Sequence, residues 1–247
     1  MLEATARAED AHYWFLGLRR VARQMLTTAL DGARPRRIID CGTGTGRNLD
    51  WLHAFGDVVG IDRSPTGMAV ARSAGRRVVQ GVVNALPFKD GCADVATSFD
   101  VLYSLPDEIE KKALAEMRRV LAPGGIVLVN AAALDILHGS HSTLTMEVRR
   151  YTRRRLASRL TDAGFQVERI TYTNATLFLP ALAVRGLERM TGRDAQPSEA
   201  DLTTPHALVN GTLNAALTAE AAWLRVANLP IGTSVMAVAR KPRAGSS

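Results

Sequence analysis

The sequence predicts an α/β fold: a mostly parallel sheet with helices on both faces. Three observations carry this. Short apolar runs near 36–41, 57–62, 76–81, 93–99 and 124–131 alternate with helical patterns near 46–55, 65–74 and 107–121. Strands separated by such crossovers pair in parallel and need cover on both sides. The first run, RRIIDCG, passes directly into glycines, which let a strand turn sharply into a helix. The composition, 47% apolar and 22% charged over 247 residues with a mean hydropathy of -0.01, suits one globular domain with a full core. It excludes a disordered chain, a collagen-like fibre and a disulfide scaffold.

Taken in order, the chain opens with helical patterns at 2–11 and 15–31, the second carrying Leu18, Val21, Met25 and Leu26 at helical spacing. The alternating strands and helices follow. A loop at 134–150 leads to a basic helix at 152–163 and a strand at 165–173. A mostly helical insertion at 176–227, interrupted by the polar stretch 191–205, precedes a last strand near 233–240, after Pro230 and Gly232. With no internal repeat or low-complexity linker, one domain over 1–247 is expected: a helical cap at 1–35, a core at 36–174, an insertion at 175–230 and a final strand at 231–241.

The start, MLEATARAED, lacks a basic segment followed by an apolar one, so no secretory signal is expected. The apolar stretches around 126–137 and 175–184 are broken by Asn130, Asp135 and Pro180, short of the roughly 20 residues of a spanning helix. Cys41 and Cys92 form no framework and have no metal-type spacing with His. A reduced, cytoplasmic protein without a metal is the expectation. The formal charge of +7 and pI of about 10.0 raise nucleic acid or an anionic surface as a partner. Lysine occurs only at 89, 111, 112 and 241, so the charge is nearly all arginine. Its one dense cluster (Arg149, Arg150, Arg153, Arg154, Arg155, Arg159) interleaves only Tyr151 and carries no nucleic-acid motif. Nucleic acid is therefore not the favoured partner.

The chemistry-bearing stretch is IIDCGTGTGRNL, 38–49. Asp40 closes the strand, and Gly42, Gly44 and Gly46 turn into a helix beginning near Arg47. Glycines let the backbone approach a ligand, and a helix amino end favours a polar or anionic group. A dinucleotide fingerprint would place its third glycine at Arg47. The G-x-G-x-G spacing suits instead a nucleoside with an amino-acid tail. An ordinary glycine-rich turn explains two glycines, but not three in alternation after an acid.

In these residues the sequence resembles the class I S-adenosylmethionine-dependent methyltransferases, and the resemblance continues in register over 36–174. Asp62 ends VVGID, where the family places an acid accepting from both ribose hydroxyls; one carboxylate can serve two vicinal hydroxyls. GVVNALPF, 81–88, is similar to the family's G-D-A-x-x-L-P-F stretch beside adenine. DVATSFDVL, RRVLAPGGIVLVN and RRYTRRRLASRLTDAGFQV, with Gly164, resemble the later elements. The resemblance implies a Rossmann-like, doubly wound, mostly parallel seven-stranded sheet with an antiparallel last strand. It implies S-adenosyl-L-methionine as cofactor and S-adenosyl-L-homocysteine as product. The cofactor residues it implies are Asp40, Gly42, Thr43, Gly44, Gly46, Asp62, Arg63, Val83, Asn84, Ala85 and Phe99. One departure stands out: the acid expected to meet the adenine amino group is Val82 here, so backbone groups, Asn84 or packing must hold adenine.

Methyl transfer from a sulfonium needs mainly an aligned acceptor and exclusion of water; a base is required only for a protonated, weakly acidic acceptor. Loop candidates are Asp100, Tyr103, His138 and His141, with His141 and Tyr103 the expected catalytic pair. His141 reads equally as polar surface. In DAHYWFLGLRR, a start shared by a subset of bacterial members, Tyr13 and Trp14 either cap the cofactor's methionine end or anchor the core. Arg19 or Arg20 would face its carboxylate, or solvent. His53 and Cys41 read as structural. Arg149, Arg150 and Tyr151 are either a fork for an acidic acceptor group or a solvated helix start. The insertion could roof an aromatic or prenyl-like acceptor, form a dimer face or rest on a membrane surface. The favoured function is methylation of a small organic or lipid-like molecule, by a monomer or homodimer. The alternative is an RNA methyltransferase, motivated by the charge; against it stand the lack of an appended RNA-binding module and S-F-D-V where an N-P-P-Y tetrad would be. A non-catalytic cofactor-binding protein and a nicotinamide oxidoreductase are further alternatives.

Overall fold

A computed structural model describes residues 8–137, 147–191 and 205–243. Seven strands, β1 (Arg37–Cys41), β2 (Asp57–Asp62), β3 (Val78–Gln80), β4 (Ala93–Phe99), β5 (Leu121–Ala132), β6 (Gln166–Thr173) and β7 (Ser234–Arg240), form one sheet. Their order is β3-β2-β1-β4-β5-β7-β6. The neighbours among β1 to β5 pair in parallel, and β7 runs antiparallel to both β5 and β6. The predicted topology is the one observed. Because the chain moves outward from β1 to β3 and restarts at β4, the sheet has a switch point between the carboxyl ends of β1 and β4.

Strand parity builds the core. Ile38, Val58, Val95, Leu128 and Val238 point to one face, where they pack with Leu18, Met25 and Leu26 of α1 (Tyr13–Leu30) and Leu49 and Leu52 of α2 (Arg47–Leu52). Their neighbours Ile39, Val59, Ala96, Val127 and Ala237 point to the other, under Leu114 and Met117 of α4 (Asp107–Val120) and Leu156 and Leu160 of α5 (Arg153–Asp162). Alternation sends successive residues to opposite faces, and both faces here are covered, which is why the strands read as unbroken apolar runs. The remaining helices are α3 (Pro65–Ser73), α6 (Phe178–Thr191) and α7 (Ala207–Trp223).

Element ends shift from the sequence expectation for local reasons. α1 starts at Tyr13 rather than 15, because the His12 Nδ1 accepts from Trp14 N at 3.2 Å and caps it. β5 starts at Leu121 rather than 124: Leu121 pairs with Ala93 across a register shift, so the strand forms before the Pro-Gly-Gly bend. The expected helix at 2–11 lies largely outside the described residues. α7 returns to α1, where Leu217 fills the space over Gly17 and Asn210 Oδ1 accepts from Tyr13 N at 3.0 Å.

Glu220 of α7 is buried and accepts from the backbone N–H groups of Asn174 and Thr176. It thereby fixes the turn leaving β6, where Asn174 takes a left-handed φ of 59°. Glu220→Ala leaves those donors without a partner and should cost about 2–3 kcal/mol. Thermal denaturation should show a midpoint roughly 4–12 °C lower. An unchanged midpoint would mean the turn holds itself.

Candidate functional site

The switch point opens on the glycine turn. Gly42, Gly44 and Gly46 have φ values of 81°, 56° and 77°, a region that costs a side-chain-bearing residue about 1–2 kcal/mol. A Cβ on Gly42 would overlap Val101 Cγ2. The turn is fastened to β2: Gly42 N and Thr43 N donate to Ile61 O at 2.8 and 3.0 Å. From outside, α3 presses on it so closely that a Cβ on Gly67 would stand 2.8 Å from Gly44 O. Gly67 was not singled out in the sequence, since PTGMAV looks like any helix start.

Asp62, at the end of β2, organises the rest. Its Oδ2 accepts from Gly44 N at 2.8 Å and its Oδ1 from Ser64 N at 2.8 Å. A carboxylate oxygen has two lone pairs, so each keeps one for a further donor. The Asp62 carbonyl accepts from Gly81 N at 2.9 Å, which brings the segment 81–85 beside it. There Ala85 N donates to Val82 O at 3.2 Å in a tight turn. Val83 points into the core, Asn84 is half-buried and Ala85 and Val82 are exposed. The Arg63 side chain is exposed.

Asp40 is buried beneath the turn. Thr97 Oγ1 donates to its Oδ1 at 2.6 Å, while its Oδ2 and the neighbouring Thr43 Oγ1 lack a hydrogen-bond partner. Burial pushes the Asp40 carboxyl up to about 6. The N-terminal segment reaches the same turn: Glu9 accepts from Thr45 Oγ1 at 2.6 Å, and Asp10 pairs with Arg47. Burial raises the Glu9 carboxyl, opposed by its bond from Thr45 and by Arg19, Arg76 and Arg47. Glu9 was missed in the sequence, where no motif marks it. Arg19 donates to Glu9 O at 2.5 Å, and Arg20 Nη2 donates to Asn214 Oδ1 at 3.3 Å, while Arg20 Nη1 is buried with no hydrogen-bond partner among the described residues. The Tyr13 ring stacks on His12 and the Trp14 ring lies edge-on to Phe15.

Asp100 and Tyr103 lie just past β4, and His138 and His141 lie outside the described residues. The Phe99 ring packs with Trp51, at a centroid distance of 6.1 Å, within the core under α1 and α2. Asp100 is paired with β5: its N–H donates to Asn130 O at 3.0 Å, and Asn130 Nδ2 donates to its Oδ1 at 3.0 Å. The fork expected from Arg149 and Tyr151 is corrected. Arg149 donates to the buried Glu110 at 2.7 Å and pairs with Asp107 at 2.6 Å, and Tyr151 O–H donates to Glu110 at 2.6 Å. Both are buried and spent on an internal carboxylate rather than on a ligand or on solvent. Arg150 donates to Glu147 at 2.8 Å and to Ala133 O at 3.3 Å. Among the described residues no cluster of His, Cys, Asp or Glu is arranged to hold a metal, and no helix is long and apolar enough to cross a membrane.

Comparison with known proteins adds to this geometry. Residues 39–129 match the sequence model of a family described as "Methyltransferase domain". The chain is 29% identical over 172 residues to malonyl-[acyl-carrier protein] O-methyltransferase of Pectobacterium atrosepticum, covering 66% of each chain. It is 39% identical over 116 residues to demethylmenaquinone methyltransferase of Thermus thermophilus, covering 43% of this chain and 51% of that one. The chain thus spans between half and two-thirds of these curated relatives' length. In structure it is similar to phosphoethanolamine N-methyltransferase 2 of Haemonchus contortus, solved with S-adenosyl-L-methionine. That match has a TM-score of 0.56 at 19% identity, over 90% of this chain and 52% of the other; at this identity it speaks for the fold alone.

Proposed function

The chain belongs to the class I S-adenosylmethionine-dependent methyltransferases, and from that premise we propose that it transfers a methyl group to a small organic or lipid-like acceptor. The observation that carries this is the glycine turn closed onto Asp62, with one lone pair left on each carboxylate oxygen. The fit to the cofactor is supported by the turn itself, where Gly42, Gly44 and Gly46 hold left-handed backbone with no Cβ to stand against a ligand.

In this reading Asp62 accepts from the ribose hydroxyls. Gly42, Thr43, Gly44 and Gly46 line the backbone cradle, and Asp40 supports it from below. Adenine lies along 82–85, held by the Val83–Ala85 backbone and Asn84, because Val82 offers no side-chain acceptor. When bound, S-adenosylmethionine supplies a methyl group already activated on a sulfonium. The protein's task is then to orient the acceptor and exclude water. An acceptor with an apolar portion is supported by α6, which follows β6 at the carboxyl end of the sheet and exposes Leu179, Val184, Leu187 and Met190. The names of the relatives, one acting on a malonyl carrier and one on a demethylmenaquinone, are compatible with this class of acceptor.

Calorimetry with S-adenosylhomocysteine and, separately, NAD tests the proposal. Saturable binding of the first without the second is expected. Binding of NAD alone would replace the transferase reading with an oxidoreductase.

A further inference from the structure

Helix α6 keeps its apolar and charged residues apart. Phe178, Leu182 and Arg185 are partly buried, and the helix packs against the turn Asp135–Leu137 after β5 and the turn Ala175–Leu177 before it. Every exposed position described on α6 is apolar: Leu179, Pro180, Ala183, Val184, Leu187 and Met190. Leu179, Ala183, Leu187 and Met190 recur at helical spacing, which sets them in one stripe along the helix. Leu179 is 71% exposed and Met190 87%. Ile136, in the turn against which α6 packs, adds another exposed apolar side chain. Single exposed leucines are ordinary, but a contiguous apolar stripe marks a face that binds something.

Positive charge stands at the root of this helix. Arg153 N donates to the Tyr172 hydroxyl at 3.3 Å, and the Arg153 guanidinium lies 5.3 Å from the centroid of the Tyr172 ring. Tyr172 is two residues before Asn174, where the chain turns toward α6. Arg154, next along α5, is exposed and has no ion-pair partner among the described residues. The acid in the turn beside α6, Asp135, already accepts from Arg150 N at 3.3 Å. The chain as a whole carries a formal charge of +7.

We propose that α6 docks the protein on an anionic lipid surface, its apolar stripe among the acyl chains and Arg153 and Arg154 beside the headgroups. The inference goes beyond the transferase reading, because it concerns a surface rather than a ligand in the site. At 14 residues α6 is too short to span a bilayer. Lying in the interface needs only one apolar face, held by its buried area and by attraction between basic residues and acidic lipid. A second copy of the chain is a poorer occupant. A helix about 21 Å long presenting a face about 10 Å wide offers on the order of 200 Å². A stable interface buries about 800 Å² on each partner. Docking by α6 also turns the carboxyl end of the sheet toward the bilayer, since α6 leaves that end directly after β6. A lipid-like acceptor would then reach the switch point without crossing water.

The test uses the full chain and vesicles of two compositions, phosphatidylcholine alone and phosphatidylcholine with phosphatidylglycerol, separated by flotation. The protein should float with the acidic vesicles and leave them as salt rises from about 0.05 to about 0.5 M, because the charge attraction is screened. Binding to phosphatidylcholine alone should be weaker by about tenfold or more. Leu179→Glu with Met190→Glu should weaken binding to the acidic vesicles by about tenfold or more, since two apolar anchors then carry the lipid's own sign of charge. Arg154→Ala, on a different helix, should weaken it by about fivefold and leave binding to neutral vesicles as it was. All three positions are exposed, so the thermal midpoint should stay that of the unaltered protein.

Failure of the unaltered protein to float, equal flotation on both lipids, or undiminished flotation of the folded double variant would each overturn the docking surface. A dimer in sedimentation velocity that Leu179→Glu with Met190→Glu converts to a monomer, without flotation, would give the face to a second copy of the chain instead. Flotation involves neither S-adenosylhomocysteine nor methyl transfer, so its failure is distinguishable from failure of the transferase reading.

Discussion

Replacing Asp62 with alanine should weaken S-adenosylhomocysteine binding by about 2–4 kcal/mol, taking each charge-assisted hydrogen bond at its usual value. That is roughly 30- to 1,000-fold in Kd. Two effects add. The ribose loses its acceptor, and the turn loses the bonds from Gly44 N and Ser64 N that shape it before any ligand arrives. The second effect makes asparagine a poor replacement. Both Asp62 oxygens face a backbone N–H, so an amide nitrogen on either side would set donor against donor. Asp62→Asn should fall near Asp62→Ala in calorimetry rather than near the unaltered protein. A change of less than about threefold in either would place the ribose elsewhere.

Arg149→Ala should be the most destabilising single change on the acceptor side. It strips the guanidinium from Glu110, which is buried on α4 and keeps only the Tyr151 hydroxyl at 2.6 Å and a more distant Arg159 at 3.5 Å. Removing one partner of a buried ion pair leaves a charge that water cannot reach, at a cost of about 3–5 kcal/mol. For a chain of this size the thermal midpoint should fall by roughly 6–20 °C. Tyr151→Phe removes one hydrogen bond to the same carboxylate and should cost less, about 1.5–3 kcal/mol. Replacing Arg149 and Glu110 together by Met and Leu should recover most of the loss, because an apolar pair of similar volume is often as stable. A loss below about 1 kcal/mol in Arg149→Ala would return the residue to the exposed role its sequence suggested.

What could be read from the sequence was what lies close along the chain. Asp40, the three glycines and Asp62 announce themselves because a strand must end, turn and leave an acid at its tip within a few residues. The sheet was legible because strands covered on both faces show as apolar runs. Arg149 was misjudged for the complementary reason. RRYTRRR looks like a solvated start to a basic helix, and only Glu110, 39 residues earlier, gives it a different meaning. That glutamate stands in DEIEKK, which reads as an exposed face. Glu9 was invisible for the same reason, its Thr45 partner being 36 residues away. Asp100 was visible as a loop candidate after β4, but its left-handed backbone and its ties to Asn130 were not.

The segment that leaves β5 and returns before α5 is fastened at both its roots. Tyr151 N donates to Ala132 O at 2.8 Å, and Leu134 N donates to Tyr151 O at 3.1 Å. Asp135 accepts from Arg150 N at 3.3 Å, and Tyr103 O receives Val148 N and Arg149 N. Both roots are therefore set by main-chain N–H and carbonyl groups of described residues. An immunoglobulin domain achieves evolvability in this manner, by mounting variable loops on a sheet that does not consult them. For a laboratory altering this rim, exposed Val148 is a place to begin, because its N–H rather than its side chain holds the frame.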